Sequence, residues 1–175
     1  RILVTQDQTA ANALADLVAG MGGGVRQQFA NQQDLKERPA NLYVATLSGE
    51  PPMNVFDASV ARAGERTTFQ LDNGPGFSFG DNELGPEVRQ AIGARRKIVI
   101  GVRPHRVALG GEGAEMAPVV SNQWLGDQSH VALAVAGKLR VAVSHVLVRA
   151  CVGERISCGF RAQEIHLFDP PTSVA

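Results

Sequence analysis

His130-Val131-Ala132-Leu133-Ala134-Val135-Ala136-Gly137-Lys138-Leu139-Arg140-Val141-Ala142-Val143 is the stretch whose reading decides the fold. Val131, Leu133 and Val135 alternate with small or polar neighbours, and Leu139, Val141 and Val143 resume the alternation, so each run presents one apolar face as a strand does. Gly137-Lys138 between them predicts a two-residue Gly-X turn, which makes the pair a hairpin. On either side, further runs of strand length occur at Val55–Ala61, Thr67–Leu71, Ile98–Val102, Ala117–Asn122, Leu139–Arg149, Arg155–Arg161 and Ile165–Phe168, separated by Gly, Pro, Asn and Asp. Many short strands at this spacing predict a mainly β domain, either a sandwich or a small Greek-key barrel.

The beginning of the chain has a different character. Arg1–Thr5 reads as a short apolar strand, and Asp7 as the cap of a helix from Gln8 to Met21, where Leu14, Leu17, Val18 and Met21 fall on one face. Gly22-Gly23-Gly24 stops that helix, and Val25–Phe29 follows as a strand. Asn31 and Asp34 then cap a helix of about two turns that ends before Pro39. Glycines that cradle a phosphate need a helix after them, and here an extended run follows instead. Glu50-Pro51-Pro52-Met53-Asn54 reads as a linker, because consecutive prolines continue neither a helix nor a central strand.

Composition narrows the function classes. The 175 residues hold 17 Lys+Arg and 17 Asp+Glu, and this balance disfavours a strongly electrostatic nucleic-acid binder. Aromatic residues are 5% of the chain, too few for a base-stacking platform. The longest apolar runs fall far short of a membrane span, and the opening residues carry no signal-peptide pattern, so the chain reads as soluble and not secreted. Its two cysteines, Cys151 and Cys158, lack paired zinc-ligand spacing and read as reduced residues packed in or near strands. His130, His145 and His166 lack metal spacing as well and read as structural.

Charge is unevenly placed. Residues 1–87 carry six basic and eleven acidic side chains, and residues 88–175 the reverse. The densest basic group, Arg89, Arg95, Arg96, Lys97, Arg103 and Arg106, is a candidate anion or partner patch or else a solvated rim.

Several motifs carry a resemblance to a known family. Leu3-Val4-Thr5-Gln6-Asp7-Gln8, Ala11, Leu14-Ala15-Asp16, Glu37-Arg38-Pro39-Ala40-Asn41-Leu42-Tyr43-Val44-Ala45 and Gly49-Glu50-Pro51-Pro52-Met53-Asn54 resemble the end of the ATPase domain in carbohydrate-uptake ABC importers of the maltose, glycerol-phosphate and polyol type. Gly101-Val102-Arg103-Pro104 resembles that family's G-[IV]-R-P-E-H segment, Trp124-Leu125-Gly126 its strand-turn, and Gly159-Phe160 with Ile165-His166-Leu167-Phe168-Asp169 its closing strand. The resemblance implies a short α/β remnant of an ABC nucleotide-binding domain over residues 1–45. Residues 46–175 would then form an OB-like, TOBE or MOP-like, barrel regulatory domain.

It also implies functional expectations. Family members read V-T-H-D-Q-x-E-A, and here Gln6 stands at the switch-histidine position and Ala10 at the glutamate. Glutamine hydrogen-bonds but does not take up a proton near neutral pH, so no catalytic residue is intact in this segment. The chain has no G-x-x-x-x-G-K-[ST] phosphate loop, Walker B strand or ABC signature, so by itself it is not expected to hydrolyse ATP. ATP and Mg would belong to a longer parent subunit, and no cofactor is expected in this chain.

Expected partners are a second copy of the chain, with Trp124 as a candidate dimer contact, the membrane-spanning permease subunits reached through the parent ATPase, and a regulatory protein. Such a module would be cytoplasmic and peripheral to the inner membrane. His105 stands where the family has Glu and Arg106 where it has His, so Arg95, Arg96, Arg103, His105 and Arg106 form the candidate anion or partner patch. The alternative is a stand-alone barrel that binds a small ligand or oxyanion. An intrinsic enzyme has nothing to recommend it, since neither a G-x-S-x-G elbow nor a carboxylate dyad is present.

Overall fold

The computed structural model describes residues 2–93, 95–110 and 115–170, and the chain divides into two compact units, Arg1–Met53 and Asn54–Ala175.

In the first unit, α1 (Gln8–Leu14) starts where Asp7 accepts hydrogen bonds from the backbone N–H groups of Thr9 and Ala10. It ends about two turns earlier than the apolar spacing predicts. Val18–Gly22 is strand β1, paired antiparallel with β2 (Val25–Ala30). Gly23 and Gly24 join them, both with positive φ, which is the backbone of a type I′ hairpin turn. The Gly-Gly pair therefore folds the chain back on itself and stops no helix. The helical stripe has no core to pay for it, because Leu14, Leu17 and Met21 are all exposed. Residues 2–5 are not a strand either, and Ile2 and Val4 lie almost fully in solvent.

Helix α2 (Gln32–Glu37) is capped as its sequence predicts, with Asn31 Oδ1 accepting from the Asp34 N–H at 2.8 Å. Helix α3 (Leu42–Leu47), unanticipated, repeats the device: Asn41 Oδ1 accepts from the Val44 N–H at 2.9 Å. Leu35, Val44 and Ala45 are buried here. The Gln8 carboxamide ties α1 to the chain after α3, donating to Leu47 O and accepting from the Gly49 N–H.

The second unit begins with a meander of β3 (Asn54–Ala63), β4 (Arg66–Leu71) and β5 (Gly76–Gly80). Helix α4 (Pro86–Ile92) follows, and β6 (Lys97–Val102) pairs with the other side of β3. After a 3-10 turn at Pro104–Arg106 come β7 (Ala108–Leu109), β8 (Glu115–Trp124), β9 (Ser129–Val135), β10 (Lys138–Ser144) and β11 (Arg155–Gly159). A second 3-10 turn, Ala162–Glu164, leads into β12 (Ile165–Phe168). The strands form two five-stranded sheets, ordered β12-β6-β3-β4-β5 and β10-β9-β8-β11-β7.

One apolar core serves both sheets. Phe56, Phe69, Leu71, Phe79, Ile98 and Ile100 come from the first, and Ala117, Val119, Val131, Leu133 and Val135 from the second. Strand β9 shows the alternation that its sequence predicts, with Val131, Leu133 and Val135 buried and the residues between them half-exposed. The fold is the mainly β, OB-like class expected.

Several local readings are corrected. The hairpin turn is Ala136-Gly137, with φ of 52° and 71°, and Lys138 already pairs with Val135. A type I′ turn matches the strand twist, and this gain outweighs the strain of a left-handed alanine. Strand β10 stops at Ser144, so His145–Arg149 is not strand. β11 ends at Gly159 and not at Arg161. Strand β5 and helix α4 had no reading at all. β5 is a short Gly-flanked segment, and α4 has no side-chain cap to announce it. Cys158 is buried in β11 as expected, whereas Cys151 is exposed in a loop.

Candidate functional site

Of the residues singled out in the sequence, Gln6 and Ala10 belong to the first unit and the basic residues and Trp124 to the second. Gln6 is exposed, beside the Thr5–Asp7 turn in which the Asp7 N–H donates to Thr5 Oγ1 at 2.9 Å. Ala10 is half-exposed on α1, and its backbone N–H donates to Asp7 Oδ1 at 3.2 Å.

The basic residues do not make one continuous surface. Arg95 pairs with Asp169 at 2.9 Å and also donates to the carbonyl of Ala91 at the end of α4. Arg96 is exposed, and its carbonyl accepts from Val60. Arg103 points inward and is only 6% exposed, and burial holds its guanidinium down to about 10. Arg103 also precedes the 3-10 turn that carries His105 and Arg106 on the outside.

A second set of residues, not identified as a site in the sequence, converges on that turn. The turn packs against β10, whose next residue is His145. Arg106 lies 3.7 Å from Glu164, which starts the approach to β12. Arg161 holds the same carboxylate more closely, at 2.6 Å from its guanidinium and 3.2 Å from its backbone N–H. Burial by itself would raise the Glu164 carboxyl, but hydrogen bonds from Arg161 and the charges of Arg161 and Arg106 bring it below its ordinary value. His105 is lowered by burial first, then by Arg106 and Arg103, with Glu164 opposing and His145 adding to the effect. His166 on β12 is lowered by burial and by Arg103. Residues 103–106, 145 and 161–166 are far apart in sequence, and no local pattern links them.

Trp124 ends β8 and is 43% exposed. It pairs with Ser129, which pairs in turn with Ser144 and accepts a hydrogen bond from the Val148 N–H. Trp124 and the 145–148 segment therefore share one end of the sheet. Leu125, Val146 and Leu147 there are also exposed apolar residues. Among the described residues no three His, Cys, Asp or Glu side chains are grouped to hold a metal, and no helix is long and apolar enough to cross a membrane.

With this geometry in view, comparison with known proteins defines the class first. Residues 100–168, from within β6 to the end of β12, match the TOBE domain family. Among solved structures, the cytoplasmic molybdate-binding protein ModG, with molybdate bound, superposes with a TM-score of 0.51 at 16% identity, covering 67% of this chain and 96% of that one. This likeness supports the OB-like fold.

The relatives reach beyond the TOBE domain. The sn-glycerol-3-phosphate import ATP-binding protein UgpC of Chromobacterium violaceum is 34% identical over 98% of this chain and 44% of its own length. The xylose/arabinose import ATP-binding protein XacK of Haloferax volcanii is 34% identical over 99% of this chain and 45% of its own. The chain carries a TOBE domain and is related, along nearly its whole length, to the ATP-binding subunits of sugar and glycerol-phosphate import systems. It spans less than half the length of these relatives.

Proposed function

We propose that this chain is the regulatory and dimerisation part of the ATP-binding subunit of an ABC importer for sugars, polyols or glycerol phosphate. The observation that carries the reading is the similarity over 98% of the chain to UgpC of C. violaceum, with a TOBE domain at residues 100–168. The relatives are named for different solutes, so the reading names a class of solute.

In this reading nucleotide and Mg bind to a part of the subunit outside these 175 residues, and Gln6 takes the place of a switch histidine. Glutamine can hydrogen-bond a phosphate or a water but cannot share the charge of an imidazolium. The permease subunits are the membrane partners, and they hold the assembly at the cytoplasmic face of the inner membrane. A second copy docks through the exposed apolar end formed by Trp124, Leu125, Val146 and Leu147, and a regulatory protein engages the same domain.

The first test is the intact mass of the native gene product against the 18.5 kDa of this chain. A heavier product, extended on the N-terminal side and co-purifying with membrane permeases, is expected. A native product of 18.5 kDa that purifies without permeases overturns the reading. Self-association has its own test, light scattering of the 175-residue chain and its Trp124→Ser variant. A dimer that the variant splits is expected, whereas a monomer at every concentration removes the dimer from the proposal.

A further inference from the structure

Asn73-Gly74 lies in the turn between β4 and β5, and Asn73 is the one asparagine of the chain that glycine follows. Asn73 is exposed with φ of 57°, a left-handed conformation that asparagine tolerates better than most residues. Hydrogen bonds pin the chain on both sides of it: the Leu71 N–H donates to Pro75 O at 3.1 Å, and Gln70 Nε2 donates to Gly74 O at 2.7 Å. Asn31, Asn41, Asn54 and Asn122 each donate from the carboxamide nitrogen, whereas the Asn73 carboxamide has no hydrogen-bond partner among the described residues. The Gly74 N–H beside that carboxamide donates to Leu71 O at 3.2 Å, the long end of the usual range. A single bond of this kind in an exposed turn opens without unfolding the sheet.

We propose that Asn73 is a site of spontaneous modification, deamidated by water without an enzyme. The Gly74 backbone nitrogen, its proton lost to water, attacks Asn73 Cγ. A C–N bond forms, the Cγ–Nδ2 bond breaks, and Nδ2 takes a proton from water and leaves as ammonia, so a succinimide ring closes with no change of oxidation state. Glycine favours the attack because it has no Cβ to shield its nitrogen. Water then opens the ring at one of its two carbonyls. Opening at Cγ gives aspartate, and opening at the main-chain carbonyl gives isoaspartate, whose backbone runs through Cβ and Cγ and is longer by a methylene. The turn has no slack for that length. Gly74 packs on the β9–β10 turn so closely that a Cβ there would lie 2.7 Å from the Ala136 Cβ. Isoaspartate at position 73 therefore loosens the contact between the two turns. This inference does not depend on the importer reading.

The full 175-residue chain, kept folded at neutral and at mildly alkaline pH, would be sampled over time, digested with trypsin and followed by mass spectrometry. Trypsin releases residues 67–89 as one peptide holding both Asn73 and Asn82, and fragmentation separates the two. Conversion of amide to acid is expected at Asn73 and at no other asparagine over the same interval. It should be faster at the higher pH, because base promotes loss of the Gly74 proton, and an isoaspartyl-specific carboxyl methyltransferase should label the product. The modified chain should unfold at a lower urea concentration than the fresh one, whereas Asn73→Asp, which has the charge without the longer backbone, should unfold as the fresh chain does. Asn73→Gly keeps the positive φ and should give no product at this turn. The proposal is overturned if Asn73 stays an amide in the folded chain, if other asparagines convert as fast, or if the modified and fresh chains unfold alike.

Discussion

Asn54 treats Val141 as a neighbouring strand: its Nδ2 donates to the Val141 carbonyl at 2.8 Å and its Oδ1 accepts from the Val141 N–H at 2.9 Å. A carboxamide has the donor and acceptor of a peptide group, so one side chain at the start of β3 satisfies a residue on β10, the outermost strand of the other sheet. Nearby, Arg140 donates to the Val55 carbonyl and lies over the Phe56 ring at 4.6 Å, and Lys138 reaches Asp57 at 3.4 Å. The seam between the sheets is thus closed by side chains and not by a continuous ladder.

Asn54→Ala should therefore cost about 2 kcal/mol, because it leaves a backbone donor and acceptor without their partners at a site where Asn54 is only 6% exposed. Asn54→Asp should cost as much, since a carboxylate cannot donate to the Val141 carbonyl. Urea unfolding measures both. Midpoints unchanged from the parent chain would mean the seam holds without this contact.

Gly74 and Ala136 should be energetically coupled. A Cβ at Gly74 would lie 2.7 Å from the Ala136 Cβ, closer than atoms pack. Gly74→Ala should destabilise the chain by roughly 1–3 kcal/mol, in the range of overpacked sites. Ala136→Gly should by itself stabilise by about 1 kcal/mol, since Ala136 has φ of 52°. The double variant should recover part of the Gly74→Ala loss, since the Ala136 Cα and the Leu71 Cβ remain at 3.2 Å. A double-mutant cycle with no interaction energy would contradict the close approach.

Thiol chemistry should separate the two cysteines. Cys151 is exposed, whereas Cys158 is buried, and burial, then Glu115, pushes its thiol up to about 11. A thiol reagent at neutral pH should label one site per native chain and two after unfolding, with peptide mapping placing the native label at Cys151. Rapid native labelling of Cys158 would rule out its burial in β11.

Stability should fall as the solution is acidified below neutrality. His105 and His166 both have pKa values below 6.5 in the folded chain, through burial first and then neighbouring arginines. The unfolded chain binds their protons from about pH 6.5 downward while the folded one resists, so stability is lost through that window and levels off below the folded values. Glu164, held below 4.5, adds a further loss at lower pH, as its carboxylate protonates. Thermal melts between pH 7 and 5 should show the first decline, and His105→Gln with His166→Gln should flatten it. A melting temperature unchanged over that interval in the parent chain would contradict the reading.

The sequence by itself determined those features whose cause lies within a few residues. The caps at Asp7 and Asn31 were legible because a side chain satisfies N–H groups two or three positions on, and the β9 alternation because a strand has two faces. The resemblance in the Gly49–Asn54 and Gly101–Pro104 motifs was legible too, and with it the family and the OB-like domain. Only the tertiary structure decided the rest. Val18–Met21 has helical spacing but became a strand, because a Gly-Gly turn supplied a pairing partner and no core supplied a helix with one. Arg103 reads as a surface charge and is buried, while His145 reads as part of a strand and lies exposed just after β10. Asn54 reads as the end of a linker, and its role depends on a residue 87 positions away. Local chemistry selects caps, turns and strand faces, but which charges are desolvated and which edges meet depends on contacts that exist only once the chain has closed on itself.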